Sequence, residues 1–212
     1  MEYSAKQLQI IAVAEKLFSK KGFEGTSVRD IAEVAEVNVS MISYYFGSKD
    51  KLIEALFELR ITESRLRIEH ILLLEDLTPL QKVNIMIDST VDRLIDNEQF
   101  QKIMMREQLS SERTTIVSKY IRDMKIRNSE LMKRLITEGQ EAGYFRKNID
   151  MSLLSITLYG TIHHAIATQD YYKTLNNIEH LSGEEFRSFL KMRLKRHLKS
   201  LFKSAVFNEN HT

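Results

Sequence analysis

The sequence predicts an all-α protein. Apolar residues recur at i, i+3, i+4 spacing along most of the chain, and helix-forming residues dominate, with Pro79 the single proline in 212 residues. The stretch from Gly22 to Lys51, GFEGTSVRDIAEVAEVNVSMISYYFGSKDK, reads as two short helices and a tight turn ahead of a longer helix.

The elements follow in order. Ile10, Ala14, Leu17 and Phe18 form the buried face of a first helix, stopped at Lys21 and Gly22. Ser27 caps a second, whose apolar positions Val28, Ile31, Ala32 and Ala35 fall on one stripe. Asn38 caps a third, with Ile42, Tyr45 and Phe46 turned inward and Gly47 as its stop. Ser48 caps a fourth that starts its inward face at Leu52, Ile53, Leu56 and Phe57 and runs on to Leu77-Thr78-Pro79, where proline disfavours a helical predecessor. A helix from Pro79 to about Asp96 comes next, then a shorter one from Asn97 carrying Phe100, Ile103, Met104 and Leu109. Ser111 is expected to cap a long helix through Ile116, Tyr120, Met124, Ile126, Leu131 and Leu135, ending at Gly139 or Gly143. Two more helices cover Asp150 to Thr168, apolar on most sides, and Gly183 to about Ala205, with Phe186, Leu190, Leu194, Leu198 and Leu201 in a stripe. The polar and aromatic QDYYKTLNNIEHLS between them is expected to be partly irregular.

Two short helices joined by a tight turn, with the second helix exposed on one side, are the pattern of a helix-turn-helix DNA reader. The residues also carry a resemblance. Ile10 to Phe18, the GFEGTSVRDIA segment, the Tyr45-Phe46 pair and the Gly47-Ser48-Lys49-Asp50-Lys51-Leu52 run are similar to the N-terminal domain of the TetR (tetracycline repressor) family, continuously over roughly the first sixty residues. The resemblance implies an N-terminal helix-turn-helix DNA-binding domain, residues 1–50, with the first turns of the next helix to about 60 packed against it. It also implies a C-terminal helical ligand-binding and dimerisation domain, residues 51–212. Three positions depart from the family pattern: Glu36 stands where the turn usually has glycine, Ser40 is the small residue inside the recognition helix, and Ser43 replaces a tyrosine. That tyrosine commonly touches backbone phosphate in the family, so the contact is either lost or taken over by the Ser43 hydroxyl.

Charge alone does not announce DNA binding. The formal net charge is +2, and within the first 51 residues Lys6, Lys16, Lys20, Lys21, Arg29, Lys49 and Lys51 are matched by Glu2, Glu15, Glu24, Asp30, Glu33, Glu36 and Asp50. With no cysteine there is no disulfide framework, thiolate nucleophile or cysteine zinc site. No apolar run is long enough to cross a bilayer, and MEYSAKQLQ lacks the features of a signal peptide, so a cytoplasmic location is expected.

The leading reading is a dimeric one-component regulator, a repressor, that binds a near-palindromic double-stranded DNA operator. Ser40, Ser43 and Tyr44 share one face of the recognition helix, Met41 lies at its edge, and Val39 and Met41 suit thymine methyl groups. Arg29 is placed to read guanine, the alternative being a surface pair with Asp30 or Glu33. Asn38 opens the helix that would enter the major groove and counts among the DNA-binding residues; Ser27, Tyr45 and Lys49, with the backbone amides at both caps, are placed for phosphates, and Tyr45 is equally suited to packing on the first helix. The broad apolar surfaces of the last two long helices, with Gly160 between, predict a homodimer through a four-helix bundle. The resemblance places Met86, Phe100, Met104, Met105, Tyr120, Met124, Met132, Tyr159 and His163 on helices that enclose an effector pocket in the family; plain core packing is the competing reading. The effector, an apolar or amphipathic small molecule, is not identified by the sequence.

Two other classes compete less well. An enzyme would need a phosphate loop, HExxH or an activated nucleophile, none of which is present, and no cofactor is expected. His163 and His164 are adjacent, so on a helix they diverge by about 100° and do not chelate a metal together. The basic C-terminal run KMRLKRHLKSLFKS suggests a bundle that docks on a membrane surface or protein partner, but it equally describes a packed helix with a solvated basic edge.

Overall fold

The structure is a computed structural model describing residues 3–109 and 115–207, without the side chains of residues 64, 65, 68, 115 and 116. Helix makes up 81% of the described residues, which form no strand beyond one antiparallel bridge between Phe145 and Phe207. The all-α class is therefore observed. The helices are α1 (Ala5–Lys21), α2 (Val28–Val34), α3 (Val39–Phe46), α4 (Lys49–Leu72), α5 (Pro79–Asp96), α6 (Glu98–Leu109), α7 (Thr115–Glu141), α8 (Met151–Ala167), α9 (Gln169–Asn176) and α10 (Gly183–Val206).

They gather into two compact units that do not follow chain order. The first is Met1–Ser64 with Gln99–Lys125; the second is Arg65–Glu98 with Ile126–Thr212. In the first unit, Ile10, Phe18, Ile31, Ile42, Leu52, Leu56 and Phe57 share a core with Phe100, Ile103 and Met104 of α6 and Val117 and Ile121 of α7. Each such side chain contributes about 1.5–3 kcal/mol by leaving water, so α6 is as much a part of this core as α2 is. Polar ties reinforce it. Arg60 clamps the buried Glu15 carboxylate with two hydrogen bonds, 2.6 and 3.2 Å, Arg106 donates to the Lys20 carbonyl at the end of α1, and the Ser19 hydroxyl meets Gln99.

In the second unit α5 and α10 lie side by side. Val83, Ile87, Val91 and Leu94 of α5 and Phe186, Leu190, Leu194, Leu198, Phe202 and Val206 of α10 are buried together. Along their edge Lys199 pairs with Asp88 at 2.5 Å, Lys195 with Asp92 at 2.7 Å and Lys191 with Asp96 at 2.7 Å, one rung per helical turn. The α10 apolar stripe and three of its lysines are thus committed inside the protein, which disfavours the membrane-surface reading. No helix of the described residues is long and apolar enough to cross a membrane.

Several expectations are corrected. Helix α4 stops at Leu72, not at Leu77, because the Thr78 hydroxyl must take the extended cap position and receive the Gln81 amide; Lys82 Nζ then satisfies the freed Leu72 carbonyl. Asn97 closes α5 and does not open α6. Leu109 and Ile126 are exposed, lying off the buried faces of α6 and α7. The α10 stripe continues through Phe202 and Val206, four residues apart, and leaves Leu201 exposed. As expected, QDYYKTLNNIEHLS is partly irregular: its first eight residues form α9, closed by Asn177 in the left-handed region, and residues 177–182 are not helical. Of the two candidate stops for α7, Gly143 (φ 80°) is used; Gly139 stays inside the helix because the Phe145 ring lies where its Cβ would be. The expected Ser111 cap and the Ile116 side chain fall outside the described residues.

Candidate nucleic-acid interface

Helix α2 begins in a reciprocal cap. The Ser27 hydroxyl accepts from the Asp30 amide at 3.1 Å and donates to the Asp30 carboxylate at 2.5 Å, and the Ser27 amide donates to the same carboxylate at 2.8 Å. Lys21 adds an ion pair at 2.9 Å. The Ser27 hydroxyl bond foremost, then Lys21 and the Ser27 amide, hold the Asp30 carboxyl far below the usual carboxylate range. The Ser27 hydroxyl is thereby engaged twice inside the protein, once as donor and once as acceptor, and only acceptor capacity remains to it.

The turn between α2 and α3 closes as a Schellman motif. The Val37 amide reaches the Ala32 carbonyl at 3.0 Å and the Glu36 amide the Glu33 carbonyl at 3.2 Å. That motif puts Glu36 in the left-handed region, φ 52°, where a side chain costs energy that glycine avoids. From α1, Gln9 Nε2 donates to the Ala35 carbonyl at 3.0 Å and braces the turn. Sequence reading missed Gln9, since an exposed polar residue on a helix carries no visible sign of a partner 26 positions away.

Asn38 caps α3, its Oδ1 accepting from the Ser40 amide and hydroxyl, each at 2.9 Å. Ile42 is buried to 1% and anchors the helix. Tyr45 and Phe46 are half-buried against the same core, so Tyr45 packs inward with part of its ring accessible. Val39, Ser40, Ser43 and Tyr44 face solvent and Met41 is half-buried. Tyr44 is 84% exposed and rests edge-on against Tyr45, ring centres 5.2 Å apart. Arg29 is exposed; Asp30, one of its two expected partners, is taken by Lys21.

Lys49 is held differently from the simple expectation of a free phosphate ligand. Its amine donates to the Phe23 carbonyl at 3.0 Å and sits 4.3 Å from the Phe23 ring centre. It ties the start of α4 to the loop before α2.

The nine expected pocket residues divide between the units. Phe100, Met104, Tyr120 and Met124 pack in the first core, with Met105 half-buried nearby in sequence. Met86, Met132 and Tyr159 pack in the second, and His163 is half-buried one turn after Tyr159, ring centres 6.5 Å apart. Among the described residues no group of three or more His, Asp or Glu is arranged to hold a metal ion.

This geometry meets two family models. Residues 10–56 match the N-terminal model described as bacterial regulatory proteins, tetR family, and residues 79–193 match the tetracyclin repressor-like C-terminal domain. The chain belongs to the TetR family. It is a DNA-binding transcription regulator and not an enzyme. The HTH-type transcriptional repressor NicS of Pseudomonas putida is 31% identical over 140 residues, covering 66% of this chain and 66% of that repressor, just under two thirds of its length. Among solved structures, the ketosteroid regulator KstR2 of Mycobacterium tuberculosis superposes with TM-score 0.71 at 18% identity, covering 98% of each chain. The regulator FadR of Bacillus subtilis, in complex with stearoyl-CoA, superposes with TM-score 0.67 at 21% identity, covering 91% of this chain and 97% of its own. At these identities both structures establish the TetR fold for this chain.

Proposed function

We propose that this TetR-family chain is a dimeric one-component repressor that binds a near-palindromic operator and is released by a small apolar or amphipathic effector. Residues 1–50 read DNA in this proposal, and residues 51–212 carry dimerisation and effector binding. The observation that carries it is Tyr44. A two-turn helix anchored by Ile42 holds a tyrosine 84% exposed, flanked on the same side by Ser40 and Ser43, and such a surface suits base edges in a major groove.

In the proposed complex Arg29, Val39, Ser40, Met41, Ser43 and Tyr44 meet the bases, while Asn38, Tyr45 and the free backbone amides at the two caps meet phosphates; Ser27, its hydroxyl proton given to Asp30, shapes the α2 cap instead. Lys49 contributes positive charge from its seat on Phe23, with one of its three N–H donors committed to the Phe23 carbonyl. Dimerisation is supported by apolar side chains left outside the second core on adjacent helices, Leu153 and Ile156 of α8 and Leu201 of α10, which a second copy would cover. For the effector, the stearoyl-CoA held by FadR makes a long amphipathic molecule the class to test. Ligand and operator would each weaken the other's binding by the same factor.

The test is Tyr44→Ala in the full chain, with footprinting of the DNA flanking the protein's own gene supplying the operator. The variant is expected to keep its thermal midpoint and lose its preference for operator over scrambled DNA. Unchanged affinity and selectivity would show that this face of α3 does not read bases. Sedimentation of a stable monomer at micromolar concentration would remove the two-fold geometry.

A further inference from the structure

On the second unit α8, α9 and α10 frame a groove of about 730 Å³. Local chemistry explains why it opens there. Thr168 closes α8, its hydroxyl donating to the His164 carbonyl at 2.8 Å, and α9 starts at the next residue, so Tyr171, Tyr172 and Leu175 stand as a third wall beside the two longer helices. The floor is Ala165 of α8 and Leu194 of α10, both buried, and the small alanine side chain leaves a depth that a larger residue would fill. Tyr171 is 65% and Leu175 62% exposed, so the apolar wall faces water.

Helix α10 divides its positive charge between two edges. Lys191, Lys195 and Lys199 are answered by Asp96, Asp92 and Asp88 of α5. Arg193 and His197 each stand two residues after one of these lysines, about 200° around the helix, and with Arg196 they line the groove. Among the described residues neither arginine has a hydrogen-bond or ion-pair partner, and no Asp or Glu lines the groove. Asp170, at the start of α9, lines a different groove together with Glu98. Self-association does not supply the missing charge either. Residues 151–167 of α8 and 186–206 of α10 contain no Asp or Glu, so a second copy that packs these two helices on their counterparts brings no carboxylate to Arg193 or Arg196.

We propose that this groove is a binding site for a small aromatic anion, a flat apolar body carrying one acidic group. The volume lies within the range of small-molecule sites, about 300–1,000 Å³. A guanidinium is charged at every working pH and presents a planar fork of donors that fits a carboxylate or a related oxyanion; its face, like the tyrosine rings, stacks on a flat ring. The acidic group accepts from Arg193 and Arg196, and the ring lies over Ala165 and Leu194 against the wall made by α9. The site includes none of the nine expected pocket residues and does not rest on the effector reading.

The experiment uses the full chain and the fluorescence of anilinonaphthalene sulfonate, an aromatic anion that brightens on leaving water, with naphthoate and naphthalenemethanol as competitors that differ in the acidic group. Saturable binding of the probe is expected, with naphthoate displacing it at a concentration at least tenfold lower than naphthalenemethanol. Arg193→Gln/Arg196→Gln is expected to weaken the probe tenfold or more, whereas Lys16→Gln/Lys20→Gln, which removes the same charge from the first unit, leaves it unchanged. Leu175→Gln, at an exposed position, is expected to weaken it at least threefold through the lost apolar wall. Far-UV circular dichroism checks that each variant is folded, and if the arginine variant is not, Leu175→Gln and the competitor pair still decide. Absence of saturable binding, equal displacement by the two competitors, or equal weakening by the two double variants would each overturn the site. So would a probe insensitive to both Arg193→Gln/Arg196→Gln and Leu175→Gln. Sedimentation velocity reads self-association alongside; an arginine variant that changes self-association and leaves the probe unaffected would make the groove an interface between copies, and the ligand site would fall.

Discussion

Glu36→Gly isolates the energetics of the turn that aims the reading helix. Glu36 occupies the left-handed position of a Schellman motif, φ 52°, its own amide and that of Val37 closing the α2 carbonyls. A non-glycine residue in this region costs about 1–2 kcal/mol. Glycine recovers that but loses about 0.4–1 kcal/mol through the greater freedom of the unfolded chain, for a net gain of about 0.5–1 kcal/mol. In a chain of this length that raises the thermal midpoint by about 1–4 °C. The carboxylate is exposed, and removing it also removes a negative charge at the C-terminal end of α2, so charge and backbone strain must be separated. Glu36→Ala does this, deleting the charge and retaining Cβ. Differential scanning calorimetry of the three proteins without DNA is expected to rank Gly above wild type, with Ala close to wild type. A Glu36→Ala midpoint as high as that of Glu36→Gly would mean that charge repulsion, and not backbone strain, destabilises the turn; a fall with Gly would refute the strain argument.

Gly139→Ala tests the packing that keeps a glycine inside α7: an added Cβ would lie 2.0 Å from the Phe145 ring, so overpacking of about 1–3 kcal/mol outweighs the helix-propensity gain of up to about 1 kcal/mol, and a urea midpoint equal to or above wild type would show that Phe145 moves aside freely. Asp30 tests the α2 cap through pH. Its carboxyl is held far below its unfolded value, so its stabilising contribution is complete above the ordinary carboxylate range and is lost as pH falls through the lower folded value. Ser27→Ala is expected to move the Asp30 titration seen by NMR back up toward the ordinary range, and an unmoved titration would mean that Lys21 alone sets it.

Much of this architecture was legible because local signals and burial agree. Ser27, Asn38 and Gly47 announce the ends of α2 and α3 by side-chain chemistry, and Ile31 and Ile42 announce their buried faces by spacing. What was not legible depends on partners distant in sequence. Nothing local marks Glu15 as a buried carboxylate; only the approach of Arg60, 45 residues later, neutralises it. Likewise Phe100 and Met104 read as apolar positions of a second domain, and only tertiary packing assigns them to the core beneath the reader. At the candidate interface the outward residues of α3 follow from helical periodicity. The placement of Lys49 does not, because whether an ammonium reaches outward or folds onto a carbonyl is decided by the loop that happens to lie within its reach.

That folding-back of lysines bears on how the reader holds DNA. Of its seven basic residues, Lys21 is paired with Asp30, Lys51 with Glu54, Lys6 is bound to Gln9 and Lys49 to Phe23. Among the described residues, Arg29, Lys16 and Lys20 are the members of this set that are exposed and make no such intramolecular contact, and the last two lie on α1, away from the reading helix in sequence. Phosphate contacts in the proposed complex therefore fall mainly to neutral donors, the Tyr45 hydroxyl, the Asn38 amide and the backbone amides at the caps. These position the protein without releasing a full counterion each. With about 1–2 cations per copy and two copies, the slope of log K against log salt is expected near −2 to −4, at about −0.9 per neutralised phosphate. Fluorescence anisotropy of a labelled operator between 50 and 300 mM salt, concentrations of the order commonly used to resolve such slopes, gives the number directly. A slope near −8 would mean that Lys21, Lys49 and Lys51 abandon their intramolecular partners for phosphate on binding, and the cap and loop contacts drawn here would then describe only the DNA-free protein.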